Sequence, residues 1–162
     1  MNIIVAFILL ASYTAAMCIV NRHIPSSLSA SVFCLSKSGS WLWTVTTGAV
    51  AFLIVPSFID AASERMKIIA FAACVGLAFV ACTPLVKDKN DLAYRIHMAG
   101  AWTCAICSQV VIAVDRPIIL LCWMPWIIVA FVKMKEWRTA TFWAEISCFV
   151  STILYLCYMN SL

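Results

Sequence analysis

Five stretches of this chain, at 1–21, 38–59, 68–86, 96–114 and 117–132, carry no Asp, Glu, Lys or Arg, and a sixth, 139–162, is interrupted only by Glu145. Crossing the hydrocarbon core of a bilayer takes roughly 20 apolar residues, with a range of about 17–25. A water-soluble fold offers no place for that many all-apolar segments. The chain is 65% hydrophobic and 11% charged over 162 residues, whereas soluble domains average about 45–50% apolar and about 25% charged. A chain of this size buries only about 60–70% of its surface. The excess needs an apolar solvent, and a bilayer is one.

Only helices and closed barrels satisfy every backbone polar group in lipid. Barrel strands are short and alternate with a polar lumen face, while these runs are long and continuous. The expected architecture is therefore an all-α integral membrane protein. It is an up-and-down bundle of six transmembrane helices with short hairpin loops, in one domain over 1–162. The helices are placed at about 2–21, 41–59, 67–86, 95–114, 117–133 and 139–159, with a serine-rich first loop at 22–40. The fifth is short and holds Pro125. The first has no basic residue ahead of its apolar run, as a secretory signal would, and reads as a retained helix.

Short cytoplasmic loops carry an excess of Lys and Arg. The first, third and fifth loops hold eight (Arg22, Lys37, Lys87, Lys89, Arg95, Lys133, Lys135 and Arg138), against three (Arg65, Lys67 and Arg116) in the second and fourth. This bias places the odd loops in the cytoplasm and both termini outside. The net charge of +4 then reflects topology and lipid headgroups, not nucleic acid. Trp41, Trp43, Tyr94, Trp137, Trp143 and Tyr158 fall near helix ends, where amphipathic rings favour the interface. Trp102, Trp123 and Trp126 lie deeper and read as packing residues.

Of nine cysteines, all but Cys34 fall inside apolar runs, where a thiol behaves as a small hydrophobe. Cys104 and Cys107 form a C-x-x-C without a second pair. Small residues every fourth position allow close helix approach in lipid. Cys74, Ala78 and Cys82 on the third helix, with Gly100, Cys104 and Ser108 on the fourth, predict a close hairpin. Thr44, Thr47, Gly48 and Ala51 mark a small, weakly polar face on the second.

Polar groups inside a membrane segment are costly and need a partner or a purpose. Glu145 lies about one turn into the sixth helix, and Gln109 near the middle of the fourth. His23 follows the first helix and His97 opens the fourth, so an up-and-down path puts His23, His97 and Glu145 in one leaflet. Two imidazoles and a carboxylate are weak candidate zinc ligands or a proton relay. An interfacial hydrogen-bonded pair is the plainer reading. H-E-x-x-H, G-x-S-x-G and P-loop patterns are absent, and no cofactor is expected. The first loop, IPSSLSASVFCLSKSGS at 24–40, has seven serines but also Ile24, Leu28, Val32, Phe33 and Leu35. It reads as a segment capping the bundle, with a substrate-contacting lid as the alternative.

PSSLSAS in the first loop, His-x-x-Gly-Ala at 97–101 and FWAEI at 142–146 resemble small bacterial six-helix membrane proteins of unknown function. These are distantly similar to the DRAM-like group (damage-regulated autophagy modulators). The resemblance implies a six-helix bundle in a bacterial inner membrane and no catalytic mechanism. That group is drawn with its N-terminus in the cytoplasm, opposite to the charge bias here. The leading function expected is non-enzymatic: binding of lipid or a hydrophobic or amphipathic small molecule, or service as an accessory subunit. Membrane lipids are the expected partners, with a second copy or another membrane protein as further ones. A small transporter or channel with Glu145, His97 and Gln109 along a polar path is the first alternative. A membrane-embedded enzyme using His23, His97 and Glu145 is the second.

Overall fold

Along the first helix, α1 (Asn2–Asn21), the buried residues are Ala6, Leu10, Tyr13 and Met17. Steps of four, three and four residues keep them on one stripe of a 3.6-residue helix. The rest of the surface carries Ile4, Val5, Phe7, Ile8, Ile19 and Val20, all exposed. The next helix, α2 (Trp41–Ala61), repeats the pattern with Trp43, Thr47, Val50, Ile54 and Phe58 buried. A water-soluble helix shows the reverse, one apolar stripe and a polar remainder.

A computed structural model describes residues 2–35, 39–81, 92–133 and 138–161. Its remaining helices are α3 (Lys67–Ala81), α4 (Leu92–Asp115), α5 (Met124–Lys133) and α6 (Ala140–Met159), with no strand among the described residues. Short 3₁₀ helices occupy Ser29–Cys34, Glu64–Met66 and Pro117–Trp123. Four helices, α1, α2, α4 and α6, are long and apolar enough to cross a membrane. Helix α4 begins at Leu92, a few residues before the start expected at about 95. The expected end of α3, at 86, lies outside the described residues.

The fifth segment differs from the uniform helix expected at 117–133. It starts as a seven-residue 3₁₀ stretch and turns α-helical at Met124. Pro125 accounts for the change. Its ring would collide with the carbonyl of Leu121 if an α-helix ran through it, but it fits the first turn of a helix, where an N–H has no partner. At about 2.0 Å rise per 3₁₀ residue and 1.5 Å per α residue, the segment reaches about 29 Å.

Helices α1 to α4 pack in sequence order, and α6 closes the bundle by touching α1, α2, α4 and α5. One apolar core gathers Leu10, Ile54, Phe58, Val111, Ile112, Tyr155 and Leu156 toward one end. A second, of Tyr13, Met17, Leu28, Val32, Trp43 and Phe142, lies at the other. Trp43 is therefore a core residue and not an interfacial one. It is 1% exposed, and its indole N–H donates to the Val80 carbonyl at 3.1 Å. Trp102, expected in the packing, is 63% exposed instead.

The tightest contact is between α3 and α4. A Cβ on Gly76 would lie 2.6 Å from both the Cys104 amide nitrogen and the Gly100 carbonyl oxygen, and one on Gly100 would meet the Phe79 Cβ at 2.5 Å. On α4, Gly100 and Cys104 line this contact. On α3 the contact runs through Gly76, two residues from Cys74, while Ala78 is exposed. Cys82 lies outside the described residues. Gly48, in contrast, has nothing within 4 Å of its ideal Cβ.

Gly76→Val should accordingly force the two backbones apart and lower stability by about 1–3 kcal/mol or more. Gly48→Ala should be neutral or stabilising by about 0.5–1 kcal/mol, because alanine is the better helix former. Thermal unfolding of both variants in one detergent checks the contrast, and equal melting temperatures would contradict it.

Candidate functional site

A cavity of about 550 Å³ lies between the two apolar cores, walled by α2, α3, α4, the fifth segment and α6. Most of its lining is apolar: Ile54, Phe58, Leu77 and Phe149, with Trp102, Trp123 and Trp126 among the aromatic groups. Small residues leave the space. Ala101 and Ala105 on α4 and Ala144 on α6 face it where larger side chains would fill it. Its polar groups include His97, Glu145, Ser27 and Ser29, the last two from the first loop.

That loop is built into the bundle. Leu28 and Val32 are 1% and 2% exposed, which explains why an otherwise serine-rich segment carries aliphatic residues. Two long-range hydrogen bonds fasten it to the start of α6. The first-turn amides of a helix have no acceptor within the helix, and that of Phe142 donates to the Ser26 carbonyl at 3.1 Å. In return the Leu28 amide donates to Glu145 Oε2 at 2.5 Å. Ser31 Oγ donates to the Leu28 carbonyl and also bonds the Tyr13 hydroxyl at 2.9 Å, tying the loop to α1.

His97 is buried at 6% exposure and hydrogen-bonds the Val80 backbone. The structure thus brings His97 and Glu145 to one cavity. It does not bring His23, which is exposed beyond the end of α1 and does not line the space. Among the described residues no group of three or more His, Cys, Asp and Glu side chains is placed to hold a metal ion.

Gln109 is not among the residues that line the cavity. Its amide oxygen accepts from the Trp123 indole at 2.9 Å and from Ser151 Oγ at 2.8 Å. Its amide nitrogen donates to Ser108 Oγ and Cys148 Sγ at 3.2 and 3.3 Å. One side chain thereby joins α4, the fifth segment and α6. Ser108 is buried beside it and does line the cavity.

A further polar cluster at the opposite end of the bundle was not evident from sequence reasoning. Asp115 accepts from the Ser63 amide at 3.0 Å, from Ser63 Oγ at 2.7 Å and from the Tyr155 hydroxyl at 3.0 Å. The Tyr155 hydroxyl also lies within donating distance of the Ala61 carbonyl, at 2.9 Å. A usable signal was present. An acidic residue at a helix C-terminus opposes the helix dipole, so Asp115 needs donors from another segment. The aromatic lining had a signal too, since Trp123 and Trp126 flank Pro125 and pack edge to face at 5.7 Å.

No known protein family, curated protein or solved structure matches the chain.

Gln109→Leu should leave the Trp123 indole donor without an acceptor, at about 1–3 kcal/mol for a buried group left unpaired, while Ser151 Oγ keeps the Cys148 carbonyl. Loss of folded yield, together with a change in Trp123 fluorescence, is the expected outcome. An unchanged melting temperature would show the network to be dispensable.

Proposed function

We propose that this chain is a six-span membrane protein that binds a hydrophobic or amphipathic small molecule, or a lipid, within the bundle. The cavity carries this reading. Ligand sites typically enclose about 300–1,000 Å³, with mostly apolar walls and a few polar groups that fix orientation. Here about 550 Å³ is lined mainly by aliphatic and aromatic side chains, with His97, Glu145 and Ser27 among its polar groups. The apolar part of the ligand lies against Leu77, Phe149 and the tryptophans, and its polar part against His97 and Glu145.

Four helices meet the requirement for spanning on their own. The fifth segment supports a further crossing because its 3₁₀ start lengthens it to about 29 Å, against a hydrocarbon core of about 30 Å. The outward faces of α3, with Ile68, Phe71 and Phe79 exposed, are equally suited to lipid. The charge bias of the loops favours both termini outside and the first loop, with the polar groups it brings to the cavity, on the cytoplasmic side. The resemblance to small bacterial six-helix proteins, distantly DRAM-like, favours a bacterial inner membrane as its location.

The chain purified in mild detergent should retain a co-purifying amphipathic molecule detectable by native mass spectrometry. Ala105→Trp, which fills the cavity from α4, should lose it while keeping the wild-type melting temperature to within a few degrees. Equal retention by both proteins would refute the cavity as the binding site. Impermeant maleimide applied to a variant carrying Ser161→Cys as its only cysteine should label intact spheroplasts, whereas labelling only after lysis would reverse the orientation.

A further inference from the structure

The cavity wall contains, among the described residues, one formally acidic residue, Glu145, and no Lys or Arg. Among the described residues the only ion pair joins Lys67 to Glu64, at the other end of the bundle. Glu145 Oε2 takes the Leu28 amide, while Oε1 accepts no hydrogen bond among the described residues. A carboxylate offers about four acceptor sites, so most of its capacity remains for something inside the cavity. Leaving a carboxylate in apolar surroundings without a countercharge is costly. A ligand that brings the countercharge removes that cost.

The aromatic residues point to the same kind of ligand. The Trp123 indole N–H is engaged by Gln109, and that of Trp126 donates to the Ala140 carbonyl at 2.9 Å. What these indoles offer a ligand is therefore ring surface. Ring faces attract cations within about 6 Å of the centroid, tryptophan most strongly, and more so where water is excluded. We propose that the cavity binds an amphipathic organic cation, its charge paired with Glu145 and its apolar groups against Trp102, Trp123 and Trp126.

This inference rests on the cavity being a ligand site and adds the charge of the ligand. Three probes of similar bulk separate the two ideas: tetraphenylphosphonium, neutral triphenylphosphine oxide, and the anion tetraphenylborate. Binding is measured by equilibrium dialysis against the full chain in neutral detergent, with protein-free micelles as the blank. The wild-type chain should hold the cation about tenfold or more tighter than the anion of the same shape, as expected for one close charge pair in a low-dielectric site. Glu145→Gln keeps an acceptor for the Leu28 amide and removes the charge. It should weaken the cation by about tenfold and leave the neutral probe unchanged. Equal binding of cation and anion by the wild-type chain overturns the charge assignment without needing any variant, and so does a Glu145→Gln protein that binds the cation normally. Failure of all three probes to bind, or binding untouched by Ala105→Trp, overturns the cavity reading as well.

Discussion

Helix α6 is held by polar side chains at three depths, and the positions of the loop, the cavity and the other helices depend on these anchors. At one end Tyr155 meets Asp115 of α4. Near the middle Ser151 meets Gln109 of α4. At the other end Glu145 takes the Leu28 amide of the first loop. Apolar contact alone specifies helix pairing weakly in lipid, because lipid tails are as apolar as leucine. Directional bonds at fixed depths set both the rotation and the height of α6.

The same helix closes the bundle without filling it. Gly76 and Gly100 bring the backbones of α3 and α4 into contact, drawing that hairpin tight. On the inner side, α6 presents Ala144 where α4 presents Ala101 and Ala105. Close packing on one side and small residues on the other leave a cavity between two apolar cores. The first loop then seals that end, with Leu28 and Val32 in the second core and Ser27 and Ser29 at the cavity.

Glu145, His97 and Gln109 could all be singled out from sequence because each is a polar group within an apolar run, but their roles separate only in three dimensions. Glu145 and His97 line the cavity, while Gln109 serves the bundle's internal hydrogen bonds. His23 shares their end of the bundle and not their site. Membrane side follows from counting crossings, whereas convergence depends on the rotation of each helix about its axis. Ala78 shows the same limit. The small-residue spacing on α3 was visible, yet the face that meets α4 is the one bearing Gly76, because only a residue without a Cβ admits the Cys104 amide at that distance.

The sequence by itself determined the all-helical architecture, since unbroken apolar runs leave the backbone to satisfy its own hydrogen bonds within each segment. It also determined the apolar anchors of the first loop, whereas the 3₁₀ start of the fifth segment departs from the uniform helix expected there. Tertiary structure alone decided that Trp43 is buried and Trp102 exposed, that Asp115 gathers Ser63 and Tyr155, and that a carboxylate and an imidazole face one aromatic-walled cavity. In a chain apolar on nearly every face, periodicity gives little indication of which side of a helix turns inward. That choice is made by which small residues let backbones touch and by which buried polar groups find one another.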